Sequence, residues 1–462
     1  MYAQHSHALR PVFLVVAATI SGVLVAPLPS KADLPDGVPL KRGEFAFRYH
    51  RPYTADEMDW LSRFDIVVTA DILPAEQVSK LRAAGCRLVY YEWLVAFYTP
   101  AHRAPEWEFG RELLAENPQW VLNADKALYG HAGAGDIPAY YYDVAAPGLI
   151  QWRVKHLIDK ARDHSYDGIF FDTTTLGSVH PDAQELFKQL HPGASYDTHV
   201  AKLLAGLKKS APDLILFSNQ GYRDHANYLP HVGYDLSESY MTTTAEAPQA
   251  EVSVEGQGMT KVNETNVRRW YDPENLWQSV AHYCRVLISD PVAQFGYTAK
   301  TCHLNYGHPR YVPTGETSLA DGQPQRVFRP TLDREAIHYA MACALLLGHT
   351  SYYEAQPGVP ADDVYFIDMG KPMGESYKFD QERGVAWRLF DNGLVVVNDS
   401  GGQITHTFGE DASLPENARL LDVFSGQEVP RFADHRRVSV PASRYVATDR
   451  VAPTGRLFVY LR

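Results

Sequence analysis

From Gly43 to Glu354 the chain alternates short apolar runs with segments of helical spacing. A short run buried on both faces, followed by an amphipathic helix, is the repeat of a βα unit. Chains of such units close into a parallel barrel or spread into an open, doubly wound sheet. The strand candidates are Glu44 to Tyr49, Phe64 to Thr69, Arg87 to Tyr91, Gly168 to Asp172, Leu214 to Ser218, Gly233 to Leu236, Val292 to Phe295 and Thr350 to Tyr353. Between them Thr54-Ala55-Asp56-Glu57 spells a capping box, Pro74 begins a second helix and Gly85 ends it. Further helical spacing covers Pro147 to Arg162, Pro181 to Leu190, Asp197 to Lys209, a segment capped by Asp272-Pro273, and Thr331 to Leu347. No Gly-rich phosphate fingerprint follows any strand, which leaves the open sheet as the runner-up. The expected architecture is α/β, a (β/α)8 TIM barrel over 43–358.

Past Val364 the period changes. Short apolar runs separated by Gly, Asn, Asp and Pro, with a turn at Asp391-Asn392-Gly393, predict a C-terminal all-β sandwich domain over 364–462. At the other end, a polar start with His5, His7 and Arg10 leads into an apolar run from Pro11 to Ala26. Ser30-Lys31-Ala32 then offers small residues where a signal peptidase reads. The run is short for a membrane span, so residues 1–32 read as a cleaved export signal, with a mature start near Asp33 and a secreted or periplasmic protein lacking a stable membrane span.

The chain is rich in rings, with 28 Tyr, 19 Phe and 8 Trp among 462 residues, and a long stretch from Leu94 to Ala146 concentrates many of them. Flat amphipathic rings stack on the apolar faces of sugars, although they equally fill cores, so that stretch reads as a cleft wall or as a packing appendage. A net charge of -12 without clustered Lys or Arg excludes a nucleic-acid surface. The four cysteines have no metal-like spacing; export allows one disulfide, with Cys284 and Cys302 as the candidate pair. No HxH or HExxH spacing supports a metal and no GxSxG supports a serine nucleophile, no cofactor is expected, and His303 and His308 read as surface loop residues.

In a parallel barrel the chemistry sits where strands emerge at their carboxyl ends. There the sequence offers Tyr49 and His50, Asp71, Glu92, Asp172, Asn219, Glu238, Tyr297 and Glu354. Carboxylates gathered at one rim raise one another's pKa values and provide an acid and a base of different strength. Glycoside hydrolysis needs such a pair, one carboxyl to protonate the leaving oxygen and one to attack or to activate water. Asp172, at the end of the run Tyr166-Asp167-Gly168-Ile169-Phe170-Phe171-Asp172, and Glu238 are the candidate pair. The plain alternative for Asp172 is a cap on the following turn. Asn219 is placed to bond a sugar hydroxyl or to form a turn. Trp93 and Tyr49 are stacking platforms or core. Asp71 and Glu92 bind hydroxyls or pair with Arg48 and its neighbours, and Tyr297 joins the substrate-binding candidates by its position.

The Gly168-to-Asp172 run, with Ser218-Asn219 and Ser237-Glu238-Ser239-Tyr240, resembles the pattern of TIM-barrel glycoside hydrolases related to the α-galactosidase superfamily. The hypothetical glycosyl hydrolase family 15 group is the nearest in kind, and the endo-α-1,4-polygalactosaminidase family is similar at a greater distance. The resemblance spans about Gly43 to Glu354. It implies a poly- or oligosaccharide substrate, with Asp172 as nucleophile and Glu238 as general acid/base. The opposing reading is a non-catalytic carbohydrate-binding barrel or a cell-surface interaction protein, which the aromatic content serves equally well.

Overall fold

The structure is a computed structural model that describes residues 34–49, 53–98, 104–129, 138–172, 174–245, 247–320, 322–355, 359–409, 414 and 418–461. The export segment 1–32, Asp33 and His50 lie outside the described residues. Eight strands form one parallel sheet in chain order: β1 (Gly43–Arg48), β2 (Phe64–Thr69), β3 (Arg87–Trp93), β4 (Gly168–Asp172), β5 (Ile215–Asn219), β6 (Tyr234–Glu238), β7 (Lys300–Gly307) and β8 (Thr350–Ala355). β1 and β8 meet at a seam, where the Arg48 guanidinium lies 3.2 Å from Glu354 and the Tyr49 amide donates to the same carboxylate at 3.1 Å. The expected TIM barrel is what forms.

Local signals account for most of its elements. The Thr54 capping box opens helix Ala55–Leu61 as predicted, and Gly85, in the left-handed region at φ +85°, ends helix Ala75–Ala83. Gly168 has a packing reason. A Cβ there would stand 2.3 Å from the Ile215 carbonyl oxygen, so only glycine lets β4 lie this close to β5.

The seventh strand is a correction. Val292 to Phe295 is helical, the end of a run through Val280–Tyr283, a π-helical turn at Cys284–Ser289 and Asp290–Phe295. Four apolar residues fit either period, and the true strand hides its own. Thr301, His303 and Asn305 are buried polar residues with local partners. His303 Nε2 meets His349 Nδ1 at 2.8 Å, and Asn305 donates to Ser351 at 2.8 Å while accepting from the Thr242 amide. His303 is therefore interior, not a surface loop residue. Asp272 caps only a turn, accepting from the Glu274 and Asn275 amides, and the helix starts later, capped by Ser279.

The stretch after β3 has elements of its own, a hairpin of Ala96–Tyr98 with Ala139–Tyr141 and a helix Ala104–Glu116. Its rings pack on one another, Phe97 against Tyr140 at 5.3 Å. The excursions after β6 and β7 combine into a four-stranded sheet of Gln249–Val254, Gly258–Asn263, Arg310–Ala320 and Gln323–Thr331.

The C-terminal region is built on a six-stranded antiparallel sheet that is buried on both faces. Val395, Val397, Leu457 and Val459 on one face join the barrel's core, beside helix Arg334–Leu347. Leu394, Val396 and Phe458 on the other form a second core with Val438 and Val440 of the ribbon Ile404–Thr407/Arg437–Val440. Gly455 is the point of closest approach, since a Cβ there would lie 2.8 Å from the Tyr339 Cα of that helix. All four cysteines are free and buried. Cys302 shares the inner face of β7 with Leu304 and Tyr306, whereas Cys284 lies in the helical layer, so the strand itself keeps the suggested pair apart. No described helix is long and apolar enough to cross a membrane.

Candidate active site

Side chains alternate across a strand, so parity decides which rim residues meet. In register, Asp172 lies beside Trp93, and Leu304 beside Glu238. Parity thus puts Tyr91, Trp93, Phe170, Asp172, Phe217, Asn219, Leu236, Glu238 and Tyr306 on the inner face. Below the rim Phe47, Tyr91 and Phe170 pack ring on ring, with centroids 5.2 Å apart for Phe47–Phe170 and 5.7 Å for Tyr91–Phe170. This aromatic floor closes the barrel beneath the polar groups.

Both oxygens of the Asp172 carboxylate accept hydrogen bonds. Asn219 Nδ2 donates to Oδ1 at 2.9 Å and the Tyr91 hydroxyl donates to Oδ2. The direction of the second bond is set one step away. Trp93 Nε1 can only donate, and it donates to the Tyr91 oxygen at 2.8 Å, so the phenol's own hydrogen is left for Asp172.

Glu238 is the other carboxyl at this rim. It accepts from Tyr306 Oη at 3.2 Å, yet burial first and the neighbouring Asp172 charge second push its carboxyl up to about 8. Burial and the neighbouring charge thus keep a proton on Glu238 at neutral pH. The backbone beyond both is unusual. Gln220 and Ser239, directly after Asn219 and Glu238, are non-glycine residues at φ 57°, a conformation costing roughly 1–2 kcal/mol each. Their amides still bond across to the Leu236 and Leu304 carbonyls, which locks the sharp exits of β5 and β6.

Of the other sequence candidates, Tyr49 and Trp93 do reach this pocket, Tyr49 with its ring 5.7 Å from Tyr91. Glu92 does not. It faces the helical layer, bonded to Arg153 at 2.9 Å and Lys160 at 2.7 Å, cations that hold its carboxyl down at about 2 against the cost of burial. Its partners come from helix Leu149–Asp163, not from the region of Arg48. Asp71 follows β2 in a turn whose carbonyl is held by Thr69 Oγ1 and the Tyr166 hydroxyl, on the helix side of the sheet. Tyr297 precedes β7 at the amino end of the barrel and bonds His225 at 3.2 Å; it was placed at the rim only because the seventh strand was misread. Tyr91 and Tyr306 are the site residues the sequence reading passed over. Counting back two positions from Trp93 would have found the first.

No protein-family model matches the chain, and no curated protein matches its sequence. Solved structures are similar in fold. The glycoside hydrolase domain of PelA from Pseudomonas aeruginosa aligns over 69% of this chain and 96% of its own, at 17% identity and a TM-score of 0.39. A noncanonic maltogenic α-amylase, AmyB, from Thermotoga neapolitana aligns over 91% of this chain and 99% of its own, at 11% identity and TM-score 0.44. A debranching enzyme from Nostoc punctiforme covers 91% of this chain and all of its own, at 9% identity and TM-score 0.44.

Proposed function

We propose that this protein is a secreted glycoside hydrolase that cleaves O-glycosidic bonds of a poly- or oligosaccharide through Asp172 and Glu238. The observation that carries the reading is a pair of carboxyls at one rim in unlike surroundings: Asp172 accepts from Tyr91 and Asn219, while burial and the Asp172 charge push Glu238 up to about 8. Asp172 attacks the anomeric carbon as the leaving oxygen takes the Glu238 proton. Glu238, now ionised, then draws a proton from the water that releases the sugar. Tyr49 and Trp93 supply ring faces beside the pair.

The test is release of reducing ends from a panel of polysaccharides by wild type, Asp172→Asn and Glu238→Gln. The wild type should cut at least one, and Asp172→Asn should be slower by about 10³-fold or more. Equal rates for wild type and Asp172→Asn would remove Asp172 as the nucleophile, and binding without cleavage by any of the three would leave a carbohydrate-binding barrel. Export belongs to the same proposal, and the mature amino terminus, expected near Asp33, is read by sequencing the secreted protein.

A further inference from the structure

Past Asn219 the chain makes a sharp turn that carries a guanidinium to Tyr240, two residues beyond Glu238. Asp235, on the outer face of β6, accepts from Ser218 Oγ at 2.6 Å, the Gly221 amide at 2.8 Å and the Tyr222 amide at 3.1 Å, and so pins the turn to the sheet. Gly221 is required there, because a Cβ would meet Ser218 Oγ at 2.6 Å and Asp235 Oδ1 at 3.0 Å. The next two residues are Tyr222 and Arg223.

Three phenols form a closed cluster at this point. Tyr283 Oη lies 2.7 Å from both Tyr222 Oη and Tyr240 Oη, which also touch each other. Arg223 Nη2 donates to Tyr240 Oη across a long 3.4 Å. Tyr240 stands two residues beyond Glu238, and the Arg223 charge is among the influences on the Glu238 carboxyl. Among the described residues no acid forms an ion pair with Arg223, although its side chain is open to solvent. A guanidinium has five N–H donors in a rigid fork, so one long bond to a neutral phenol leaves most of them unused.

We infer that Arg223, backed by Tyr240, receives the carboxylate of an acidic sugar, a uronate, in the subsite next to the scissile bond. This rests on the glycosidase reading and narrows its substrate class. A planar fork matches a carboxylate with two parallel hydrogen bonds, whereas a neutral hydroxyl uses one. The net charge of -12 does not oppose it. At physiological ionic strength distant charges are screened beyond about 8 Å, and the local guanidinium decides.

The experiment compares matched pairs of aryl glycosides in both anomers, glucoside with glucuronide and galactoside with galacturonide, for wild type, Arg223→Lys and Arg223→Gln. The expected result is a wild-type preference for the acidic member of a pair, weakening as salt rises. In Arg223→Gln the acidic-to-neutral ratio of kcat/KM should fall by about 10- to 100-fold, with Arg223→Lys in between. Thermal melting of each variant separates this from misfolding. A neutral preference in wild type, or an equal loss on both members in Arg223→Gln, overturns the inference while leaving the glycosidase reading standing. If wild type turns over neither these nor any polysaccharide, the glycosidase reading fails, and the inference fails with it.

Discussion

Glu238→Gln tests the protonation argument apart from any substrate. Burial and Asp172 hold the wild-type carboxyl at about 8, against an ordinary value of 4.5. An unfolded chain sheds this proton near pH 4.5 and the folded chain keeps it to about pH 8. Between those limits each upward pH unit favours unfolding by about 1.36 kcal/mol. The wild type thus loses stability as pH rises through the window, on the order of 4–5 kcal/mol in total, and the loss is complete only above about pH 8. An amide at this position titrates nowhere in the range and still offers Tyr306 an oxygen. Any packing cost of the substitution is common to all pH values, so the comparison cancels it. Urea titrations of both proteins at about pH 5 and about pH 8.5 should show the variant gaining at least about 2 kcal/mol on wild type at the higher pH. Turnover should fall by about 10²- to 10⁴-fold throughout. A stability difference between the two proteins that does not change with pH would refute the claim that Glu238 holds a proton at neutrality.

Tyr91→Phe removes one donor from Asp172 and leaves the Trp93 indole N–H without its acceptor. It should lower kcat/KM by about 10- to 100-fold with the smaller share in KM, read from initial rates on any cleaved substrate. Glu92→Gln leaves buried Arg153 and half-buried Lys160 facing a neutral amide, and should cost about 3 kcal/mol in urea titrations at neutral pH with KM unchanged. Because the folded Glu92 carboxyl is held down at about 2, that cost should shrink as pH drops from 4.5 toward 2, where wild type loses the pairing as well.

The barrel was legible because its repeat is. β2 and β4 were bounded correctly by apolar runs, and the Thr54 cap and Gly85 stop follow from chemistry confined to a few residues. The miss at β7 has a physical cause, since Lys300-Thr301-Cys302-His303-Leu304-Asn305-Tyr306-Gly307 buries polar groups that satisfy one another only after helix Arg334–Leu347 and β8 are in place. Asp172 and Asn219 are candidates by their position at strand ends, and a hydrogen bond joins them in the structure. Position alone misled at Glu92, because a strand end has two faces, and the ring next to it, Tyr91, was the one turned inward. The Tyr222–Tyr240–Tyr283 cluster carries no local signature; it exists because segments 61 residues apart converge.

The seating of the C-terminal sheet has a further consequence. Gly455 lies against the backbone of helix Arg334–Leu347, Arg456 pairs with Glu335 at 2.8 Å, and Tyr445 bonds Asp333 at 2.6 Å. That helix is the last of the barrel, so its outer surface is also the floor of the sheet. Trimming the chain after β8 would bare a wide oily strip and take Tyr445 from Asp333 and Arg456 from Glu335. The barrel is consequently not a detachable module: heating should melt both halves in one cooperative step, and a truncated barrel should come out of cells as aggregate.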